Sequence, residues 1–200
     1  MPSDRKFPIL IPIIAAVALV LGLGAILVIK SAESSRSTLP VQGTVPAFEA
    51  VNQDGAPFGL QNLKGKISIV NFMFTNCPGI CPVMSGNLAK LYNQFFSEPK
   101  LQIVSISVDP DRDTLAALRD YAQGFGVNDS RWQFLCMPIN DVVNLSENGF
   151  KLTAQDLPSG HSSRFVLVDS KGQIRGYYIG TDPDEVDKLA RDIPGLLKSL

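Results

Sequence analysis

Histidine is nearly absent from this chain: its 200 residues contain one, His161. Cysteine is scarce too, with three, and only Cys77 and Cys81 stand close together. Structural zinc sites usually draw on two short paired motifs, and a second pair is missing. Neither charge is in excess: 18 Lys and Arg stand against 19 Asp and Glu, a formal net charge of -1. No basic run interleaved with aromatics occurs, which excludes a nucleic-acid surface. No segment of the chain repeats itself.

Charge is also missing locally. From Phe7 to Ile29, "FPILIPIIAAVALVLGLGAILVI" carries none. As a helix this stretch reaches roughly 34 Å, enough for a hydrocarbon core of about 30 Å. A cleaved signal peptide has a shorter apolar region, about 7 to 15 residues, so residues 1–30 read as a retained membrane anchor. Pro8 and Pro12 lie near its start, where a helix tolerates them best. The positive-inside rule leans slightly toward an inside N-terminus. A short N-terminal flank before a large C-terminal domain is also the common arrangement of signal anchors. Together these place residue 31 onward outside the cytoplasm. Residues 31–44, "SAESSRSTLPVQGT", have the Ser, Pro and Gly content of a flexible linker. Residues 45–200 are then one domain, a division that suits the length.

Within that domain "KISIVNFMF" (Lys66 to Phe74) and "LQIVSISVD" (Leu101 to Asp109) are near-continuous apolar runs. Such runs suit strands covered on both faces, as in a parallel sheet. Between them, residues 82–96 have helical spacing, which makes a strand–helix–strand crossover. "DRDTLAALRDYAQGFG" reads as a helix with Asp113 as its candidate cap. "WQFLCM" reads as a short strand and "SRFVLVDSKGQIRGYYIG" as a hairpin turning at residues 170–172. "DPDEVDKLARDIPGLLKSL" reads as a closing helix that Pro194 could kink or split. Alternating elements with a late antiparallel hairpin predict an α/β sandwich with a mixed central sheet.

The stretch "TNCPGICPVMSGNLAKLY" puts both paired cysteines at a strand-to-helix junction. Pro82 lacks an N–H and fits best as the first residue of that helix. The unpaired N–H groups and the dipole there favour anions. A thiol of pKa about 8.5 is only slightly ionised at neutral pH, and a drop of about two units makes it mostly thiolate. Thiolate is both nucleophile and metal ligand, so either chemistry is open. A purely structural disulfide is disfavoured because the loop it would close is tiny. His161 precedes the hairpin strand, and two thiolates with one imidazole form a soft, three-ligand copper set. Cys136 sits among apolar neighbours as a small buried hydrophobe. The alternative is a four-ligand zinc site of Cys77, Cys81, Cys136 and His161. Asp109 follows the second buried strand at the end where open α/β sheets carry their sites. It is a candidate outer-shell contact of the thiols, or a turn-forming Asp-Pro without chemistry. Met73, Met84 and Met137 read as packing.

These motifs, in this order, resemble the Sco/SenC family of membrane-anchored copper proteins that assist cytochrome c oxidase assembly. The family's T-x-C-P-x-x-C-P stands as Thr75 to Pro82, its S-V-D-P-x-R-D-T as Ser107 to Thr114, and its W-x-F-L as Trp132 to Leu135. Its metal histidine, in an H-S before a strand, matches His161-Ser162. The chain departs from the family pattern at Gly160, where an Asp is common, and at Val83 and Met84, where an acidic residue often follows the second Cys-Pro. Leu115 stands for a common proline and Cys136 for a frequent threonine; no ligand is lost. The resemblance implies a thioredoxin-like three-layer sandwich in which Cys77, Cys81 and His161 bind one copper ion, as Cu(I), Cu(II) or both. It implies delivery to the dinuclear copper centre of cytochrome c oxidase subunit II, or prior reduction of that subunit's cysteines, with Cys77 and Cys81 as redox pair. An upstream copper donor and a thiol reductant are implied partners, at the periplasmic face of a bacterial inner membrane. Thioredoxin-type enzymes place two residues between their cysteines; three here leave room for a metal. A peroxidase reading is weaker, because Thr75 lies two residues before Cys77 rather than three.

Overall fold

The computed structural model describes residues 39–200 and, before them, only Ile14 and Leu21. The expected anchor and the linker as far as residue 38 therefore lie outside the described residues, those two positions apart. Among the described residues no helix is long and apolar enough to cross a membrane.

Eight strands form one mixed sheet. In chain order they are β1 (Gly43–Thr44), β2 (Glu49–Asn52), β3 (Pro57–Gly59), β4 (Ile67–Met73), β5 (Leu101–Ser107), β6 (Trp132–Cys136), β7 (Arg164–Val168) and β8 (Gln173–Ile179). Their spatial order is β1-β8-β7-β4-β5-β6-β2-β3. The central pairs β4–β5 and β5–β6 are parallel, and the flanking pairs are antiparallel. Both edges are short, one of two residues and one containing Pro57, which limits edge-to-edge pairing. The helices are α1 (Leu60–Leu63), α2 (Ile80–Gln94), α3 (Leu115–Gly124), α4 (Ile139–Asn144) and α5 (Pro183–Leu197), with a π turn over Leu145–Gly149.

The two apolar runs are strands β4 and β5, and every residue in both is buried. Burial on both faces requires a helical layer on each side. Met84, Leu88 and Leu91 of α2 and Val186, Leu189 and Ile193 of α5 belong to the same core. This is the expected helix–sheet–helix sandwich. The hairpin turns where its Asp and Gly predict: Gly172 has φ 78°, and the Asp169 carboxylate accepts from the N–H groups of Lys171 and Gln173, each at 2.9 Å. Residues before Val45 already join the fold, since β1 pairs with β8 and the Val45 N–H donates to the Gly172 carbonyl at 2.9 Å.

Three expectations are corrected. Helix α2 starts at Ile80, so Pro82 is its third residue, not its first. The first four N–H groups of a helix have no intrahelical acceptor, so proline costs no hydrogen bond there. The cap of α3 is Thr114, whose hydroxyl accepts from the Ala117 N–H at 3.2 Å; Asp113 is turned inward instead. Helix α5 runs through Pro194 without a break, as Pro194 stands in its last turn.

Candidate metal centre

Strand β4 ends at Met73, and the chain turns through residues 74–79 into α2 at the carboxyl end of the sheet. Cys77 lies half-buried in that turn, and Cys81, in the first turn of α2, is fully buried. His161 arrives from the loop before β7 and is 6 % exposed. The ligand atoms of Cys77, Cys81 and His161 all lie within 4.8 Å of one another. An ion bound at the roughly 2.0–2.3 Å usual for N and S donors spaces its ligands about 3.3–4 Å apart, so small side-chain adjustments suffice. All three cysteines are free thiols.

Each donor has an orientation set by its neighbours. His161 Nδ1 lies 3.1 Å from the Ser162 carbonyl, which can only accept, so Nδ1 carries the proton. Nε2 then presents its lone pair to Cys81 Sγ at 3.2 Å. Phe74 packs edge-on against the imidazole, with ring centroids 5.7 Å apart. Burial pushes the His161 pKa down, against the opposing pull of the Ser162 carbonyl, which keeps the ring neutral and ligating. The two thiols are tuned in opposite directions. Burial opposes ionisation of Cys77, but the backbone N–H and thiol of Cys81 and the N–H groups of Gly79 and Ile80 outweigh it, and its pKa falls below the ordinary value. Burial pushes Cys81 up to about 12, helped by the charges of Cys77 and Asp113 and opposed by a backbone contact at Phe74. One sulfur is thus the more acidic and more accessible, and the other the more sheltered and harder to ionise.

The turn rests on Asp113, which sequence reasoning took for a helix cap. Its carboxylate is fully buried. It accepts from the Thr75 hydroxyl at 2.6 Å, the Thr75 N–H at 3.1 Å and the Ser107 hydroxyl at 2.6 Å. The ends of β4 and β5 are thereby tied together under the cysteine loop. Asp109 is placed differently. Its carboxylate pairs with Arg112 at 3.5 Å, while the turn it opens returns the chain so that the Asp113 N–H meets the Asp109 carbonyl at 2.9 Å. The acid whose charge reaches Cys81 is therefore Asp113, four residues on. Tyr121, also missed, donates to or accepts from Ser85 at 2.9 Å. Burial raises its pKa to about 12, opposed by that bond and reinforced by Cys81 and Cys77. A Thr and a Ser at the ends of adjacent strands, with a third polar residue in the next turn, are the sequence signal that could have exposed the Asp113 network.

Cys136 does not join the cluster, so the four-ligand zinc set is not assembled. It ends β6 and lines an apolar cleft of about 1140 Å³ with Phe58, Leu60, Pro110 and Met137. The reason is topological: β5 separates β6 from β4. Met73, Met84 and Met137 are buried in the core, as packing requires.

The fold and site define a class: an α/β sandwich of thioredoxin type with a soft N,S-donor metal centre on a strand-to-helix turn. The SCO1/SenC family profile matches residues 36–198, and the chain belongs to that family. The SCO1 protein homolog of Bacillus subtilis is 30% identical over 161 residues, covering 77% of this chain and 83% of that one. The solved structure of BsSco, described as a member of the Sco family of cytochrome c oxidase assembly proteins with a disulfide switch, superposes with a TM-score of 0.73 at 28% identity over 82% of this chain and 99% of that one. Yeast Sco1, solved with copper bound, superposes with a TM-score of 0.60 at 29% identity over 74% of this chain and 87% of that one.

Proposed function

We propose that this protein carries one copper ion on Cys77, Cys81 and His161 and delivers it to the dinuclear copper centre of cytochrome c oxidase subunit II. The observation that carries the reading is the convergence of two sulfurs and one neutral imidazole within 4.8 Å. Thiolate and imidazole are soft and borderline donors that suit copper; one solved relative, BsSco, is described as a member of the Sco family of cytochrome c oxidase assembly proteins, and another, yeast Sco1, was solved with copper bound. Three ligands leave the ion open to an incoming donor. Cys77, the half-exposed ligand, is the one a partner's thiol or imidazole displaces first, and the sheltered Cys81 and His161 hold the ion until the partner's ligands are in place. The copper comes from an upstream donor. The anchor over residues 1–30 holds the domain on the outer, periplasmic side of a bacterial inner membrane.

The opposed tuning of the sulfurs supports a second reading, reduction of the subunit II cysteines. The Cys77 thiolate attacks a partner disulfide and releases one partner thiolate. Cys81, passing its proton to His161 Nε2, then attacks Cys77 Sγ and frees the second. Two electrons pass to the partner, and a thiol reductant restores the Cys77–Cys81 pair.

The test is copper titration of the reduced chain against a chromophoric Cu(I) chelator. One equivalent binds, and His161→Ala weakens binding about 10- to 100-fold while Cys77–Cys81 disulfide formation persists. Unchanged copper affinity in His161→Ala removes the site as drawn.

A further inference from the structure

Cys77 and Cys81 are placed by regular structure, a strand end and a helix start. His161 is not: it lies in an irregular loop, eleven residues (150–160) after the π turn and two (162–163) before β7. What fixes the imidazole is a close approach of backbone to backbone. The Gly160 N–H donates to the Asp156 carbonyl at 2.8 Å. A Cβ on Gly160 would stand 2.0 Å from the Gln155 carbonyl oxygen, 3.1 Å from its carbon and 3.3 Å from Asp156 Cβ. Real Cβ atoms do not approach a backbone oxygen that closely, and a carbonyl oxygen in a tight turn cannot rotate aside as a long side chain can. Asp156 itself has φ 56°, the left-handed region that non-glycine residues visit rarely. The turn is therefore closed tightly onto Gly160, and the next residue in the chain is the only imidazole.

We infer that Gly160 is a positioning residue for the metal centre: its missing side chain lets the turn over residues 155–160 close and so sets His161 Nε2 opposite Cys81 Sγ. Any side chain at 160 pushes the Gln155 carbonyl and the chain at 161 apart. A displacement of about 1 Å is enough to take a donor out of bonding range, since N–metal bonds are only about 2.0–2.1 Å long. The inference rests on the copper reading of the site. It assigns Gly160 no contact with copper; its effect passes entirely through His161.

That restriction makes it testable. Wild type, Gly160→Ala, His161→Ala and the double variant are compared in the full chain by Cu(I) chelator competition and by the visible and electron paramagnetic resonance spectra of the Cu(II) form. Gly160→Ala is expected to weaken copper at least about tenfold, to take on the Cu(II) spectrum of His161→Ala, and to form the Cys77–Cys81 disulfide at the rate of His161→Ala. The double variant is expected to bind no more weakly than His161→Ala alone. Wild-type affinity and spectrum in Gly160→Ala overturn the inference. So does further weakening in the double variant, which would mean that Gly160 acts other than through His161. If His161→Ala itself binds like wild type, the copper reading fails and takes this inference with it. Should Gly160→Ala not fold, Asp156→Gly with Gly160→Ala relaxes the left-handed turn and is judged by the same criteria.

Discussion

The two halves of the metal centre are built by different means. On the cysteine side, residues 74–79 join a fully buried strand to the helix whose first turn carries Cys81, and the buried Asp113 carboxylate ties Thr75 to Ser107 beneath them. On the histidine side there is no such frame. His161 is held by one backbone carbonyl, an edge-on ring and a turn closed over Gly160. The sulfur pair is thus set by the stability of the whole domain, whereas the imidazole is set by local fit. Under the delivery function proposed above, one firm side and one adjustable side would serve to hold the ion and later release it.

The comparison breaks most completely on the sulfur side. Cys81→Ser leaves a two-donor remnant and is expected to abolish stoichiometric Cu(I) uptake, where His161→Ala only weakens it; chelator competition ranks the two. If Cys81→Ser binds as tightly as His161→Ala, the sulfur side is not the firm one.

Asp113→Ala comes next. It strands the buried Ser107 hydroxyl together with the half-buried Thr75 N–H and hydroxyl, and an unsatisfied buried group costs about 1–3 kcal/mol. We expect a loss of roughly 2–5 kcal/mol in urea unfolding of the metal-free protein. Asp109→Asn, which removes only a pairing with the exposed Arg112, is expected to lose less than about 1 kcal/mol. Equal losses would show that the network is not what frames the loop.

A third measurement separates the sulfurs. Brief iodoacetamide treatment at pH 7, read by peptide mass, is expected to label Cys77 first, because its pKa is lowered while Cys81 is held near 12. Faster labelling of Cys81 or Cys136 would contradict the opposed tuning.

The smallest effect concerns pH. The His161 pKa is lowered by burial in the fold, so the unfolded chain binds the proton more readily. The stability this contributes is complete above the unfolded value of about 6.5 and is lost as pH falls through the folded one. The metal-free protein is expected to lose stability below about pH 6.5, and His161→Ala to flatten that part of the profile. An unchanged slope in the variant would mean that the ring is not buried as described.

How much of this was legible in the sequence follows the same division. The sandwich could be read because β4, β5 and the hairpin announce themselves by apolar runs and by Asp169 and Gly172. The cysteine pair could be read because spacing and prolines are local. Asp113 could not, since a carboxylate before a helix looks like a cap; only the fold of the β5–α3 turn points it inward and leaves capping to Thr114. The start of α2 was misplaced because Pro82 is acceptable anywhere in a first turn, so its chemistry does not fix which position it takes. Gly160 was visible as a departure from the family pattern, but its role depends on a carbonyl five residues earlier, a contact that no periodicity encodes.

The central claim is that two sulfurs and one imidazole meet on one ion. Copper K-edge X-ray absorption of the reduced chain with one equivalent of Cu(I) tests it most directly. The account predicts two sulfur neighbours at about 2.2–2.3 Å and one nitrogen at about 2.0 Å, in the range usual for such donors, with the nitrogen shell lost in His161→Ala. A sulfur-only shell that His161→Ala leaves unchanged would contradict it.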